Sequence, residues 1–302
     1  MVDKNGDYLV RAISKDRQIR ALSVRTTEVV REARRLHGTT VLSTAALGRV
    51  LTGGLLVGSM LKSGRRIILR INGEGPLGYI IAEADLHGRV RGYVQNPDVE
   101  LPLSETGKID VARGIGPGTL TVQKNLDLKD HYEGSVELIS GEVGEDLTYY
   151  FTKSEQTPSS VGLGVLVEPD LTVSAAGGFI VQIMGGASEE QIDILEENIS
   201  KLGSLSELIS EGYNPDTLLE KIFGDQGFRI LAEKEVEYNC HCSKDRTRKI
   251  VEGLPAEEIK TSLEERNEVE VRCQFCKERY SFDKKEAEDI LQQKKSKSDD
   301  EE

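Results

Sequence analysis

The spacing of apolar and polar positions changes several times along this chain, and each change marks a different part. After a short strand near the N-terminus, residues 28–36 place Val29, Val30, Ala33 and Leu36 on one face and stop at Gly38, which predicts an amphipathic helix. Residues 42–61 are apolar nearly all round and rich in small side chains, which predicts a helix buried on every side. From Arg66 to Met184 the texture becomes β-like. Runs at 67–71, 78–82, 119–122, 147–152, 164–167 and 179–184 are bounded by Gly, Pro and Asn and predict strands. Consecutive strands with helices outside them predict an α+β fold, with an N-terminal β-sheet domain carrying helices over residues 1–180.

Residues 181–235 return to a helical period. Ser188 is a candidate N-cap with Glu189 and Glu190 in the first turn, and Ile192, Leu195, Ile199 and Leu202 fall on one stripe. Gly203, Gly212 with Pro215, and Gly224 cut the segment into pieces too short to be stable alone. The expectation is a helical linker that must lean on a neighbouring surface. Residues 236–292 form a small C-terminal domain. Val269, Val271 and Cys273 alternate with charged residues, Tyr280 and Phe282 alternate beyond them, and the turn of the implied hairpin holds Cys273 and Cys276. Pro255 opens a helix over 256–265. The charged, low-complexity segment 293–302 is expected to be a disordered tail.

Charge changes the picture more than composition does. The net charge of −13 is concentrated in residues 187–235, which carry 12 acidic and 4 basic side chains, and in 236–292, with 14 and 11. A nucleic-acid module shows the opposite balance, because phosphate neutralisation supplies most of its affinity, so no nucleic-acid partner is expected. The N-terminus has no apolar core of a signal peptide, and the most apolar run, residues 50–61, falls well short of the roughly 20 residues that span a bilayer. These features predict a cytoplasmic protein without a membrane partner, in which thiols stay reduced.

The chain has four cysteines, arranged as Cys240-His241-Cys242 and Cys273-Gln274-Phe275-Cys276. Two close pairs far apart in sequence match the needs of one tetrahedral Zn²⁺, each pair supplying two thiolates from a tight turn. The same sulfurs can also form two local disulfides, so a structural staple and a redox switch both stand open. Nearby cations (Lys244, Arg246, Arg248 and Lys249, then Arg272, Lys277 and Arg279) would offset the charge of a four-thiolate centre and favour thiolates. His241 is a spacer, since four sulfurs already complete the sphere. His37, His87 and His131 stand alone and receive no role. Gly73, Gly75 and Gly78 spell G-x-G-x-x-G, but Pro76 interrupts the motif and a β-run follows where a dinucleotide site needs a helix; it reads as turn chemistry, as does the glycine-rich stretch 114–118. The first 235 residues offer no catalytic constellation, and the chain is not expected to be an enzyme.

The two cysteine pairs, with Ser243, Arg246, Tyr280 and Phe282 around them, resemble the zinc module of the redox-regulated 33-kDa heat-shock chaperonin family. Residues 149–158 (YYFTKSEQTP) and Ala175-Ala176-Gly177-Gly178-Phe179, continuing to Gln182 and Met184, are similar to two stretches of that family's N-terminal domain. The likeness extends over nearly the whole chain. It implies an ATP-independent holdase that is inactive when reduced, with one Zn²⁺ held by Cys240, Cys242, Cys273 and Cys276. It also implies activation by oxidation, with Cys240–Cys242 and Cys273–Cys276 disulfides, zinc release, unfolding of the module and linker, binding of unfolding clients, and homodimerisation of the oxidised form. Linker release would uncover Ile192, Leu195, Leu218, Leu219, Ile222 and Phe223, which are the candidate client-binding residues. A thiol–disulfide oxidoreductase using Cys273 and Cys276, and a nucleic-acid or assembly module with a purely structural zinc ribbon, are the competing classes.

Overall fold

Two antiparallel strands, β1 (Tyr8–Ser14) and β2 (Ile19–Arg25), open the chain. The structure is a computed structural model that describes residues 2–62, 66–105, 107–125 and 132–299. Helix α1 (Thr27–His37) follows and ends at Gly38, whose left-handed φ of 63° lets its N–H reach the Arg34 carbonyl. Helix α2 (Val41–Gly58) starts at Thr40, whose side chain accepts from the Ser43 N–H. It is apolar and long enough to cross a membrane by length and composition, yet 89% of it is buried inside the protein. Its burial follows from its position, since it packs against strands of both large sheets.

The first sheet runs in the order β10 (Phe228–Glu235), β1, β2, β9 (Val173–Ile183), β8 (Ser159–Val167). The second runs β11 (Glu237–Tyr238), β5 (Arg89–Val94), β4 (Tyr79–Ala84), β3 (Arg66–Gly73), β6 (Gly118–Asn125), β7 (Tyr132–Glu137). Two shorter helices, α3 (Val111–Ile115) and α4 (Gly144–Lys153), lie along the second half of this region. Period two sorts the first sheet's side chains. Leu9, Leu22, Val24 and Ile180 join the main core with α1 and α2, while Tyr8, Val10, Ile19, Ala21, Phe179 and Val181 face the other way. That second face is covered by α5 (Glu189–Ser200), α6 (Leu205–Ser210) and α7 (Pro215–Phe223).

The mixed α+β character agrees with the sequence, and α1, α2 and several strands form where the spacing places them. Ser188 caps α5 as expected, in a capping box with Gln191. The glycine run at 73–78 is a turn: Gly78 has φ 65°, and Gly75 donates to the Ile115 carbonyl. Several expectations require correction. Residues 147–152 form α4 rather than a strand, because the buried Asp146 carboxylate accepts from Ile139, Ser140, Gly141 and Val143 N–H groups and organises the helix start. The segment 181–235 is not helical throughout. β9 continues to Ile183, and residues 228–235 pair with β1 as strand β10. His131 lies outside the described residues.

The chain separates into two compact units, residues 1–239 and the remainder from Cys240. The second unit holds α8 (Lys244–Gly253), α9 (Ala256–Arg266), the antiparallel pair β12 (Glu268–Arg272) and β13 (Arg279–Asp283), and α10 (Lys284–Asp299). Val236 belongs to the core of the first unit, so the C-terminal unit begins a few residues later than position 236. Its own core is small: Val251, Ile259, Val269, Phe282, Ala287 and Ile290. The expected disordered tail is corrected over 293–299, which continue α10. Lys294 Nζ donates at 2.6 Å to the carbonyls of Glu252 and Leu254 at the end of α8, where helix carbonyls lack partners of their own.

Asp7 supplies a cap from a distance. Thr26, before α1, makes no side-chain cap bond, and Asp7 Oδ2 accepts instead from the Val29 N–H at 2.9 Å. Burial pushes the Asp7 carboxyl up to about 6, against opposing pulls from that N–H and from Arg25, whose Nε is 3.9 Å away. A folded-state value above the unfolded one means that protonation favours the fold. The contribution is full in acid and is lost as pH rises through about 6. Asp7→Asn keeps an acceptor for Val29 and removes the buried charge. Its urea midpoint at mildly alkaline pH should match or exceed that of the unaltered chain, and the loss of stability between about pH 4 and about pH 6 should shrink by about 2–3 kcal/mol in total, flattening the slope. An unchanged slope would contradict this assignment.

Candidate functional site: a four-sulfur centre and a covered sheet face

Each cysteine pair is presented by a local device. Cys273 directly follows β12, and the turn closes through Lys277 N–H to the Cys273 carbonyl at 2.9 Å and Cys273 N–H to the Glu278 carbonyl at 2.8 Å. Lys277 takes the left-handed φ of 60° that this turn requires. Cys240 and Cys242 lie just beyond β11 and just before α8, whose N-cap Ser243 accepts from the Arg246 N–H at 3.3 Å. Arg246 Nη1 also donates to the His241 carbonyl at 2.6 Å, bracing the spacer residue.

These devices bring all four Sγ atoms within 4.8 Å of one another. Cys240 and Cys273 are 3.7 Å apart, Cys242 and Cys276 3.2 Å. Ligands about 2.3 Å from a tetrahedral zinc stand roughly 3.8 Å from each other, so the cluster is of the right size for one ion. The donor set fits as well. Burial, then the neighbouring sulfurs of Cys242, Cys240 and Cys273, pushes the Cys276 thiol up, so four thiolates cannot share this space without a cation. The four cysteines can therefore hold a metal ion. A phenol joins them: the Tyr280 hydroxyl is 3.1 Å from Cys242 Sγ. The sequence placed Tyr280 on a strand and among the residues that carry the resemblance, without a contact to sulfur, although its alternation with the buried Phe282 marks the inward face.

The cations near the sulfurs are occupied more than their spacing suggests. Lys244 pairs with Glu286 at 2.7 Å and lies over the Phe282 ring, Arg248 pairs with Glu252 at 3.2 Å, and Arg279 with Glu270 at 3.6 Å. Cys276 sits in a hairpin turn and not at the start of a helix after a strand, where a thiol–disulfide oxidoreductase would place it. His37, given no role from sequence, is buried, with Nε2 3.3 Å from the Tyr238 hydroxyl, which in turn donates to the Gly92 carbonyl at 2.9 Å and ties β11 to β5.

The candidate client-binding residues are concealed. Leu195, Leu218, Leu219, Ile222 and Phe223 are buried in the layer between the helices and the first sheet, and Ile192 is half-buried. Helix α6 approaches so closely that a Cβ on Gly164 would stand 2.6 Å from Ser206 N, and one on Gly177 2.7 Å from Ile209 Cδ1. Two polar clasps supplement the apolar layer. The Tyr8 hydroxyl donates to Asp216 at 2.6 Å, and Lys4 bridges Asp216 and Glu233 at 3.0 Å each.

The molecule is thus an α+β protein with a sheet face capped by short helices, followed by a small unit organised around four thiols. The family model described as "Hsp33 protein" matches residues 7–283. The chain is 48% identical over 288 residues to the 33 kDa chaperonin of Geobacillus kaustophilus, covering 95% of this chain and 98% of that protein. It is 46% identical over 288 residues to the 33 kDa chaperonin of Bacillus subtilis, covering 95% and 99%. The crystal structure of the 33 kDa chaperonin (heat shock protein 33 homolog) of Thermotoga maritima superposes with a TM-score of 0.91 at 40% identity, over 96% of this chain and 99% of that one. The chain belongs to the Hsp33 family, a family of chaperones.

Asp216→Ala removes the acceptor for a buried tyrosine hydroxyl and for Lys4. The change should cost about 1–3 kcal/mol locally. Hydrogen exchange at α7 should speed up while exchange in β3 and β4 stays as it is. Equal protection of α7 in both proteins would show that the clasp carries no weight.

Proposed function

We propose that this chain is an ATP-independent holdase whose binding surface is concealed while the four cysteines are reduced and hold one Zn²⁺. The clustering of the four Sγ atoms within 4.8 Å carries this reading, because it occurs in a unit with only six buried apolar residues among those described. Bound at such a centre, Zn²⁺ contributes on the order of 10–16 kcal/mol, most of which appears as folding free energy. Oxidation of the sulfurs to two disulfides removes the donor set and with it the support of the module.

Disulfides between Cys240 and Cys242 and between Cys273 and Cys276 are the pairing this reading takes. In the folded unit sulfurs of different pairs lie close together, Cys242 to Cys276 at 3.2 Å and Cys240 to Cys273 at 3.7 Å. Once zinc leaves and the module opens, the short loops between sequence neighbours close far more readily than the long one. The module follows β10 and β11 in the chain, and those strands follow α5–α7. The linker helices rest on the first sheet rather than standing free, so their release must overcome that packing. The surface they would uncover pairs Leu195, Leu218, Leu219, Ile222 and Phe223 on one side with Tyr8, Val10, Phe179 and Val181 on the other. Apolar surface of that kind holds unfolded chains. The reading places the protein in the cytoplasm, as a homodimer when oxidised, acting by binding rather than turnover, with no nucleic-acid or membrane partner.

The direct test follows aggregation of a heat-unfolded client with reduced and oxidised protein side by side, with zinc release recorded in the same samples. Suppression by the oxidised form alone, rising together with zinc release, is the expected result. Equal suppression by both forms, or none by either, would sink the proposal. Metal analysis of the reduced protein should give one zinc per chain, lost in Cys273→Ser.

A linker variant separates the surface from the trigger. Ile222 is fully buried, so Ile222→Asp places an unpaired charge in the covered layer at a cost of a few kcal/mol. The reduced variant should suppress client aggregation while keeping its zinc. A variant with a demonstrably unfolded linker and no chaperone activity would mean that this layer is not the client surface.

A further inference from the structure

Tyr280 occupies β13 opposite Val271 of β12, on the inward side of the hairpin. Its ring packs on the small core beside Phe282, and its hydroxyl reaches out of that core to Cys242 Sγ at 3.1 Å. Cys242 itself lies on a different segment, before α8, so this bond joins the hairpin to the other cysteine pair. A thiolate sulfur has only lone pairs to offer, and a phenol O–H is the stronger donor, so Tyr280 donates. Such a bond draws electron density from the sulfur and fixes its position, as outer hydrogen bonds do around ligating side chains.

We infer that Tyr280 is a positioning residue for the redox chemistry of the four-sulfur centre: its hydroxyl restrains Cys242 as a nucleophile and sets a threshold for its oxidation. This inference rests on the proposed redox reading and adds a residue outside the cysteine set. With a peroxide as oxidant, the thiolate attacks one peroxide oxygen, an S–O bond forms, the O–O bond breaks, and hydroxide leaves. A second thiolate then attacks the sulfenic sulfur, forming S–S and expelling a second hydroxide. Two sulfurs lose one electron each, the peroxide gains two, and both hydroxides take up protons to become water. The first step depends on the electron density at the attacking sulfur. A donated hydrogen bond must be weakened before Cys242 can react, so loosening of the hairpin and reactivity at the distant pair become linked.

The test is site-resolved chemistry on the full chain. Unaltered protein and Tyr280→Phe, which keeps the ring, are treated with limiting hydrogen peroxide in the presence of dimedone, which captures each sulfenic acid before a second thiolate can resolve it, and the adducts at Cys240 and Cys242 are quantified separately by mass spectrometry. Cys240 serves as the internal reference, because general loosening of the unit speeds both sites together. The Cys242-to-Cys240 ratio should rise roughly tenfold in Tyr280→Phe. Phe282→Leu loosens the same strand while keeping the hydroxyl and should leave the ratio near that of the unaltered protein. An unchanged ratio in Tyr280→Phe, or an equal rise in Phe282→Leu, would overturn the inference. Zinc content measured in the same samples keeps the two readings apart. A shifted ratio in a chain that never carries zinc supports the hydrogen bond and overturns the metal reading.

Discussion

Four sulfurs crowded within 4.8 Å are the constraint on which this molecule turns. As thiolates they repel one another, and burial resists ionisation at Cys276 in particular. The crowding is relieved in two ways: a cation between the sulfurs, or covalent bonds that consume them in pairs. The folded hairpin and α8 geometry suits the first. The second removes the thiolates that a cation would need. In the proposed function the centre couples the chemical state of sulfur to whether about sixty residues are folded, and so few buried side chains offer little to oppose the change.

What such a change could release lies in the first unit. Strands β1, β2 and β9 of its first sheet are covered on both faces, by α1 and α2 on one side and by α5–α7 on the other. The two coverings differ in kind. Helix α2 is one long apolar rod, buried nearly throughout, whereas α5–α7 are three short helices with acidic outer surfaces, separated at Gly203 and Gly212. Short helices draw their stability from packing and not from their own hydrogen bonds. The covered face is thus strongly apolar but held under a segmented layer, a combination suited to a surface that is to be exposed on demand.

Much of this was legible in the sequence where local pattern and tertiary role agree. The all-round apolar run forecast α2, the capping signal at Ser188 forecast α5, and alternation around Cys273 forecast the hairpin. Local pattern failed where a distant partner decides. Residues 147–152 carry β-prone Tyr, Phe and Thr, yet the four N–H groups gathered by Asp146 start a helix. Residues 228–235 lack a one-faced apolar stripe and still form β10, because the edge of β1 offers its backbone groups a partner. Residue spacing alone brought the four cysteines into view. The Tyr280 hydroxyl was not legible, because the hairpin register that aims it at Cys242 becomes visible only in three dimensions.

The central claim is that the state of the sulfurs governs the layer over the first sheet. Hydrogen exchange on the full chain, reduced with zinc and then oxidised, measures this directly. Oxidation should strip protection from residues beyond Cys240 and from α5–α7 together, while β3, β4 and α2 keep theirs. Loss of protection confined to the C-terminal unit, with α5–α7 as protected as before, would contradict it.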